Sequence, residues 1–527
     1  MKANEFVKQY VSKLSDEELC GEVFSWQFSK STTEEELLEA VKDNKISSFF
    51  ANTLPLAKIE FLKKAISQYS KSPCLITADI ERGPIYYDEL GGYATSLMSL
   101  GAISDESLAF DIGKYTARLS RALGFHVALS PVVDINFNPL NPVTNTRAAG
   151  DDTDLVIRTA GSYGKGMRSE GNLATAIKHF PGDGVDDRNQ HFCTTINSLS
   201  KEEWMRSYGK VYKKMIEDGT EAIMVAHIAL PWYNPTVDEC GYMPATLSKQ
   251  LMTDLLKGEL GFEGCIISDA MSMIGTAARI PIENLSLEFL RAGGDLILFP
   301  EKDDYKRLLN ALRSGDIDRA RLIDAVERVV TLKYKLGLFA DKEYTLRKED
   351  IETAKHLLTE AAKKSITLLR NSEKTLPLNL KKGDRVMVIT LAPKDKSDCF
   401  PFFANALEKH GFETVRLTNP THYTINDLID SVSAVFVNSI IDTTNGTGNS
   451  LRLQWSNMKT FWRGYLFKNK NIVFTSFGDP YKLMELPFLK TYINAYVASE
   501  AVAEAVVEAC LSKEMFPGNS PVNIPIM

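Results

Sequence analysis

Nowhere in the 527 residues do about 18 apolar positions follow one another, so the sequence offers no transmembrane helix. The opening residues, Met1 to Tyr10, lack the apolar core of a secretory leader. Cysteine is sparse. Its seven positions (Cys20, Cys74, Cys193, Cys240, Cys265, Cys399 and Cys510) are odd in number, scattered, and contain no C-x-x-C pair. That argues against a disulfide framework or a cysteine-based metal site. Cys74 and Cys265 stand in apolar runs and read as small buried hydrophobes. Positive charge is not in excess: the net charge of −7 disfavours nucleic acid and anionic membrane as partners. Internal repeats and low-complexity tracts are absent as well. A cytoplasmic, reducing location is the default expectation.

What the chain does have is length enough for a large barrel plus a second domain. Several short β-prone runs in the first 340 residues end on a polar residue. Leu75–Ala78 runs into Asp79, Leu129–Val133 into Asp134, and Ala174–Ile177 into Lys178 and His179. Ala222–Ala226 runs into His227, Cys265–Ser268 into Asp269, and a last run spans Asp295–Phe299. Helical patterns lie between them over Ser104–Leu123, Asp154–Ser169 and Lys201–Ile216. Alternation of this kind argues βα units around a parallel sheet. Its extent suits a (β/α)8 TIM-type barrel over 1–340, whose catalytic residues would lie at the C-terminal strand ends. A single polar residue after a strand is most often a cap or turn former; five in one region carry a functional signal.

Residues 341–347 read as a linker. From 348 to 527 a second set of β-prone runs alternates with helices: 366–369, 386–391, 414–417, 434–437 and 472–476, closed by a helical pattern over 501–511. An α/β/α sandwich is expected. Thr443–Gly448 is Gly-rich but lacks the P-loop Gly-Lys-Ser/Thr ending, so a plain loop is the reading there.

Three constellations carry the chemistry. The first is Lys178-His179-Phe180-Pro181-Gly182-Asp183-Gly184, then four residues, then Asn189-Gln190-His191. The second is Gly261 to Met273, centred on Ser268-Asp269-Ala270. The third is Pro131 to Asn136, with Asn145-Thr146-Arg147 after it. Together they resemble glycoside hydrolase family 3, with the β-N-acetylglucosaminidase branch as the nearest pattern. Met224–Ile228, Pro244–Ser248 and the stretch Glu360–Leu378 add to the resemblance.

The resemblance implies a retaining mechanism through a covalent glycosyl-enzyme. Asp269 matches the nucleophile. His191 matches the general acid/base, a group whose unperturbed pKa of about 6.5 lets it give and then take a proton. Asp79, Arg147, Lys178 and His179 match the sugar-binding set. Asp134 is expected to hold Arg147 from behind, and His227 is a further candidate at a strand end. The chain departs from the pattern after Asp79, where the branch's Glu-Gly-Gly-Arg continuation is altered, and just before His191, where Gln190 replaces a Ser/Thr. The branch places an Asp two residues before its catalytic His, and this chain has Asn189 there. An amide oxygen orients a ring N–H but supplies no charge. Three accounts stay open: Asp186 or Asp187 substitutes, the chain is a weakened form, or the acid/base lies elsewhere. Ala270 stands where the family's glucosidases commonly carry Trp.

His179 and His191 lie twelve positions apart without the support a zinc site needs, so no metal or cofactor is expected. The leading expectation is an exo-acting β-N-acetylglucosaminidase acting on a small carbohydrate. The alternatives are a β-glucosidase or glycoside phosphorylase of the same family, or a sugar-binding homologue without activity. The oligomeric state is left open.

Overall fold

The computed structural model describes residues 3–43, 45–83, 94–170, 173–340, 344–393, 400–443, 450–512 and 516–525. Eight parallel strands make the first sheet: β1 (Phe24–Gln27), β2 (Ser48–Phe50), β3 (Leu75–Ala78), β4 (Val127–Ala128), β5 (Ala174–Phe180), β6 (Ala222–Val225), β7 (Cys265–Ser268) and β8 (Ile297–Leu298). They lie in the order β7-β6-β5-β4-β3-β2-β1-β8. An isolated parallel bridge between Ile267 and Leu296 joins the two ends and brings the sheet nearly to closure.

Alternation along the strands explains the two layers of core. Leu75, Val127, Ala174, Ala176, Ala222, Met224, Cys265 and Ile267 point inward and fill the barrel. Ile76, Ile177, Ile223 and Ile266 point outward, against the ring of helices. The inward set is rich in small residues, as a narrow barrel requires. Cys265 belongs to it, and burial pushes its thiol pKa well above the ordinary value.

Two expectations of local structure are corrected. The run Leu129–Val133 is not a strand. Pairing stops at Ala128, because Pro131 has no N–H for a ladder, and only Val132 bridges to Lys178. The helix over Lys201–Ile216 is two helices, Lys201–Arg206 and Tyr208–Glu217, broken at Ser207 (φ −111°, ψ −95°).

The second sheet has six strands: β9 (Thr367–Asn371), β10 (Arg385–Leu391), β11 (Glu413–Thr418), β12 (Ala434–Ser439), β13 (Ile472–Ser476) and β14 (Thr491–Asn494). Their order is β9-β14-β13-β12-β10-β11, parallel except for β9 against β14. One face packs on helices Phe402–Lys409 and Glu500–Leu511, and the other face has its own apolar cluster around Ile425, Ile429, Leu466 and Leu483. This is the expected sandwich. Residues 341–343 and 444–449 lie outside the described residues, so part of the linker expectation and most of the Gly-rich loop are not tested.

Helix Lys348–Ser365 ties the two sheets together. Ala354, Leu358 and Ala361 join the core of the barrel, whereas Ala362 joins the core of the sandwich.

Candidate active site

Every strand of the barrel contributes to one cavity of about 990 Å³ at the C-terminal edge of the sheet. Gln27, Phe50, Asp79, Leu129, Lys178, Met224, Asp269 and Leu298 line it, one from the end of each strand or just beyond. His179, Arg147, Asn189 and His191 reach the same space. The structure therefore gathers Asp269, His191, Asp79, Arg147, Lys178 and His179 into one site.

The floor is a compact group of two anions and two cations. Lys178 Nζ lies 2.8 Å from Asp79 Oδ1 and 2.6 Å from Glu81 Oε1. Arg147 donates through Nε and Nη2 to the two oxygens of Glu81, at 2.8 Å each. Burial alone would raise the Glu81 pKa, but Arg147 and Lys178 outweigh it and hold the carboxyl well below its usual range. Asn52 donates to Asp79 Oδ2 at 2.7 Å. Lys178 is 2% exposed and Asp79 36%, so the aspartate is the member of this group that reaches into open space.

His179 stands beside them with its tautomer fixed. Arg147 Nη2 lies 3.2 Å from His179 Nε2 and can only donate, so Nε2 accepts. Nδ1 then carries the proton and donates to Asp134 Oδ2 at 2.6 Å. This corrects the role expected for Asp134. It is fully buried behind His179, accepts the backbone N–H of His179 and of Asp183, and makes no hydrogen bond to Arg147. Glu81, which the sequence reading passed over, holds Arg147 instead. Asp183 lies behind the same ring. Burial first, and then the charge of Asp134, push its pKa up to about 6.

Asp269 follows β7 directly. Its N–H donates to Val225 O at 2.8 Å, and Oδ1 accepts the Ala270 N–H at 2.8 Å. Oδ2 is left for the cavity. Burial would raise the Asp269 pKa, but His227, His179 and His191 with the Ala270 N–H lower it below the ordinary carboxylate value.

His227 is not on the cavity wall. Its ring is buried, with Nε2 3.0 Å from Ala270 O and Nδ1 against the hydroxyls of Thr246 and Thr276. The strand-end position places the ring under the Asp269–Ala270 turn, where it supports that turn rather than meeting a ligand.

The His191 loop is equally defined. Asn189 Oδ1 lies 3.0 Å from the His191 backbone N–H and 2.6 Å from Nδ1. A backbone N–H only donates, so the Asn189 atom is the oxygen, and Nδ1 must bear the ring's proton. The free lone pair of the neutral ring is then on Nε2. Asp187 is exposed and lines a separate cavity, while Asp186 is engaged with Arg188 and the Ile196 N–H. Asn189 is thus the residue that orients His191, and the expected substitute Asp187 is corrected.

The second sheet meets the same site. Arg82 lines the cavity and pairs with Asp442 at 3.2 Å, and Thr443 lines it too. Asn145, at φ +36°, donates to Asp479 Oδ1 at 3.0 Å. No group of three or more metal-binding side chains occurs among the described residues, and no described helix is long and apolar enough to cross a membrane.

The model of the glycosyl hydrolase family 3 N-terminal domain matches residues 16–332. The chain belongs to that family. A Cellulomonas fimi protein described as a β-N-acetylglucosaminidase/β-glucosidase is 29% identical to this family 3 chain, over 98% of it and 95% of the relative. A solved β-glucoside phosphorylase, BglX bound to 2FGlc, is 31% identical, with a TM-score of 0.90 over 99% of this chain and 96% of the other. A family 3 β-N-acetylglucosaminidase from Paenibacillus sp. str. FPU-7 shares the fold, with a TM-score of 0.84 at 24% identity over 98% of this chain and all of that one.

Proposed function

We propose that the chain is a retaining exo-β-glycosidase that removes a terminal β-linked N-acetylglucosaminyl or glucosyl unit. One observation carries the reading. Asp269 with a free Oδ2 and His191 with a free Nε2 line one cavity whose floor presents Asp79 to sugar hydroxyls, with Lys178, Arg147 and His179 beside it. Asp269 Oδ2 attacks the anomeric carbon while the imidazolium form of His191, with its second proton on Nε2, protonates the leaving oxygen. A glycosyl ester on Asp269 results, and the neutral His191 then activates the acceptor that cleaves it. Asp269 suits the first role because its neighbours keep it ionised. Asp79 and Glu81 do not suit it, because both are tied to Lys178. The six described cysteines are free thiols, consistent with a cytoplasmic site of action.

A second reading concerns the acceptor. Asn189 brings no charge beside His191, and that favours an incoming phosphate dianion over what a carboxylate there would tolerate. The β-glucoside phosphorylase relative supports this arm, and the β-N-acetylglucosaminidase/β-glucosidase relative supports water.

The test is turnover of 4-nitrophenyl β-N-acetylglucosaminide and β-glucoside with and without inorganic phosphate. It is joined to mass-spectrometric mapping of the residue labelled by 2-deoxy-2-fluoroglycosyl fluorides. Label on Asp269 and a loss of about 1000-fold in Asp269→Asn, worth ~4 kcal/mol at the transition state, are the expected results. Sugar binding without turnover or label would leave a binding protein. A glycosyl phosphate product would select the second reading.

A further inference from the structure

Phe192 is 54% exposed, yet it lines the cavity and follows His191 directly in the chain. A lone exposed phenylalanine needs no explanation. This one has company and a fixed seat. Met273 lines the cavity from the loop that carries Asp269, and the neighbouring Ile274 is 53% exposed. The two loops are locked together on either side of Phe192. A Cβ on Gly275 would lie 2.4 Å from Gln190 O and 2.9 Å from Cys193 O, so only glycine allows this approach. Thr194 Oγ1 donates to Gly275 O at 2.7 Å, and the Phe192 and Cys193 N–H groups both donate to Asn189 O. The ring therefore stands on the same rigid turn that orients His191.

In a two-step transfer the glycone occupies the floor and the leaving group lies outward, at the acid. Each of the two loops that carry the catalytic pair adds a large apolar side chain to the cavity lining: Phe192 on the His191 loop and Met273, beside Ser272, on the Asp269 loop. We infer that Phe192 and Met273 form the leaving-group subsite. It takes a ring with an apolar face, specifically the second pyranose of a β-linked disaccharide, whose C–H face stacks on the Phe192 ring. The inference rests on the proposed roles of Asp269 and His191 and adds the class of leaving group.

The subsite acts only while the leaving group is present, which makes it testable apart from the catalytic pair. Phe192→Ala is compared with wild type on a β-1,4-linked disaccharide of the preferred sugar and on the corresponding glycosyl fluoride. Fluoride has no ring to stack. The expected result is a fall of about tenfold in kcat/KM on the disaccharide, recovery in Phe192→Trp, and a rate on the fluoride within about twofold of wild type. A parallel loss on both substrates would overturn the subsite by making Phe192 merely structural, and so would no loss on either. Labelling of Asp269 by the 2-deoxy-2-fluoroglycosyl fluoride in wild type is read separately. If that label fails, the catalytic reading fails, whatever Phe192→Ala does.

Discussion

The amide oxygen of Asn189 accepts two hydrogen bonds from His191 but places no charge beside the ring. Burial, and after it the positive charge of Arg147 and neighbouring histidines, outweigh Asp269 and lower the His191 pKa. The acid form of His191 is therefore lost as pH rises, with a midpoint below the unperturbed value of about 6.5. For a substrate with a poor leaving group, the alkaline limb of kcat/KM should lie below that pH. The acid limb should lie below about pH 3.9, since Asp269 is held ionised. Asn189→Asp should move the alkaline limb up by about one unit, because a carboxylate so close to Nδ1 favours the imidazolium. A limb that does not move would remove His191 from the acid role. Asp183 yields a stability prediction of its own. Its folded pKa, about 6, exceeds the unfolded value, so the folded state binds more protons and stability falls as pH rises from about 4 through 6. Asp183→Asn removes that penalty. Its melting temperature relative to wild type should rise between pH 4 and pH 8, and a constant difference would contradict the shift. At this scale the sequence was informative wherever a residue directly follows a strand, as Asp79 and Asp269 do. It was silent on Glu81 and misleading on Asp134, because the Glu81–Arg147 pair joins positions 66 apart and only the fold brings them together.

The segment from Lys178 to Gly184 shows why its residue types occur together. Strand β5 presents Lys178 and His179 at its end, and the chain must then turn sharply beneath Asp134. Gly184 has φ +105°, and a Cβ on it would fall 2.0 Å from Ile135 O. Gly184→Ala should cost about 2 kcal/mol or more, combining a disfavoured backbone with a clash that no side-chain rotation relieves. Denaturant unfolding measures this, and a cost under about 0.5 kcal/mol would show that the turn adapts. The strands that sequence patterning located, such as β7, are continuous apolar runs. Strands β1 and β2 escaped it because neither is a continuous apolar run: Ser25 and Gln27 interrupt β1, and Ser48 opens β2 straight after Ser47. Strand β14 (Thr491–Asn494) was missed for the same reason, with a polar residue at each end.

Across the whole molecule, the two sheets share more than a linker. Met98 and Ala102 of the barrel side, Tyr481 and Tyr496 of the sandwich, and Val522 near the end of the chain make one apolar cluster. The last described residues return to the barrel, where Asn519 N–H donates to Ala102 O and Asn523 N–H to Asp151 Oδ2. A shared core of this kind predicts one thermal transition, with far-UV signal and activity lost together; two separated transitions would refute it. The contact also reaches the site. Asn145, two residues before Arg147, holds a left-handed backbone that costs an ordinary residue free energy, and Asp479 from the sandwich anchors its side chain. Asp479 is in turn neutralised by the buried Lys482 at 2.6 Å. Asn145→Gly keeps the backbone accessible while removing the anchor, together with the local hydrogen bond that Asn145 Oδ1 accepts from the Thr146 N–H. If the sandwich positions the Arg147 turn, this variant should lose about tenfold in kcat/KM, mainly through a higher KM, with little change in melting temperature. A sandwich that only buttresses the barrel predicts wild-type kinetics in Asn145→Gly, and the paired measurement of KM and melting temperature separates the two.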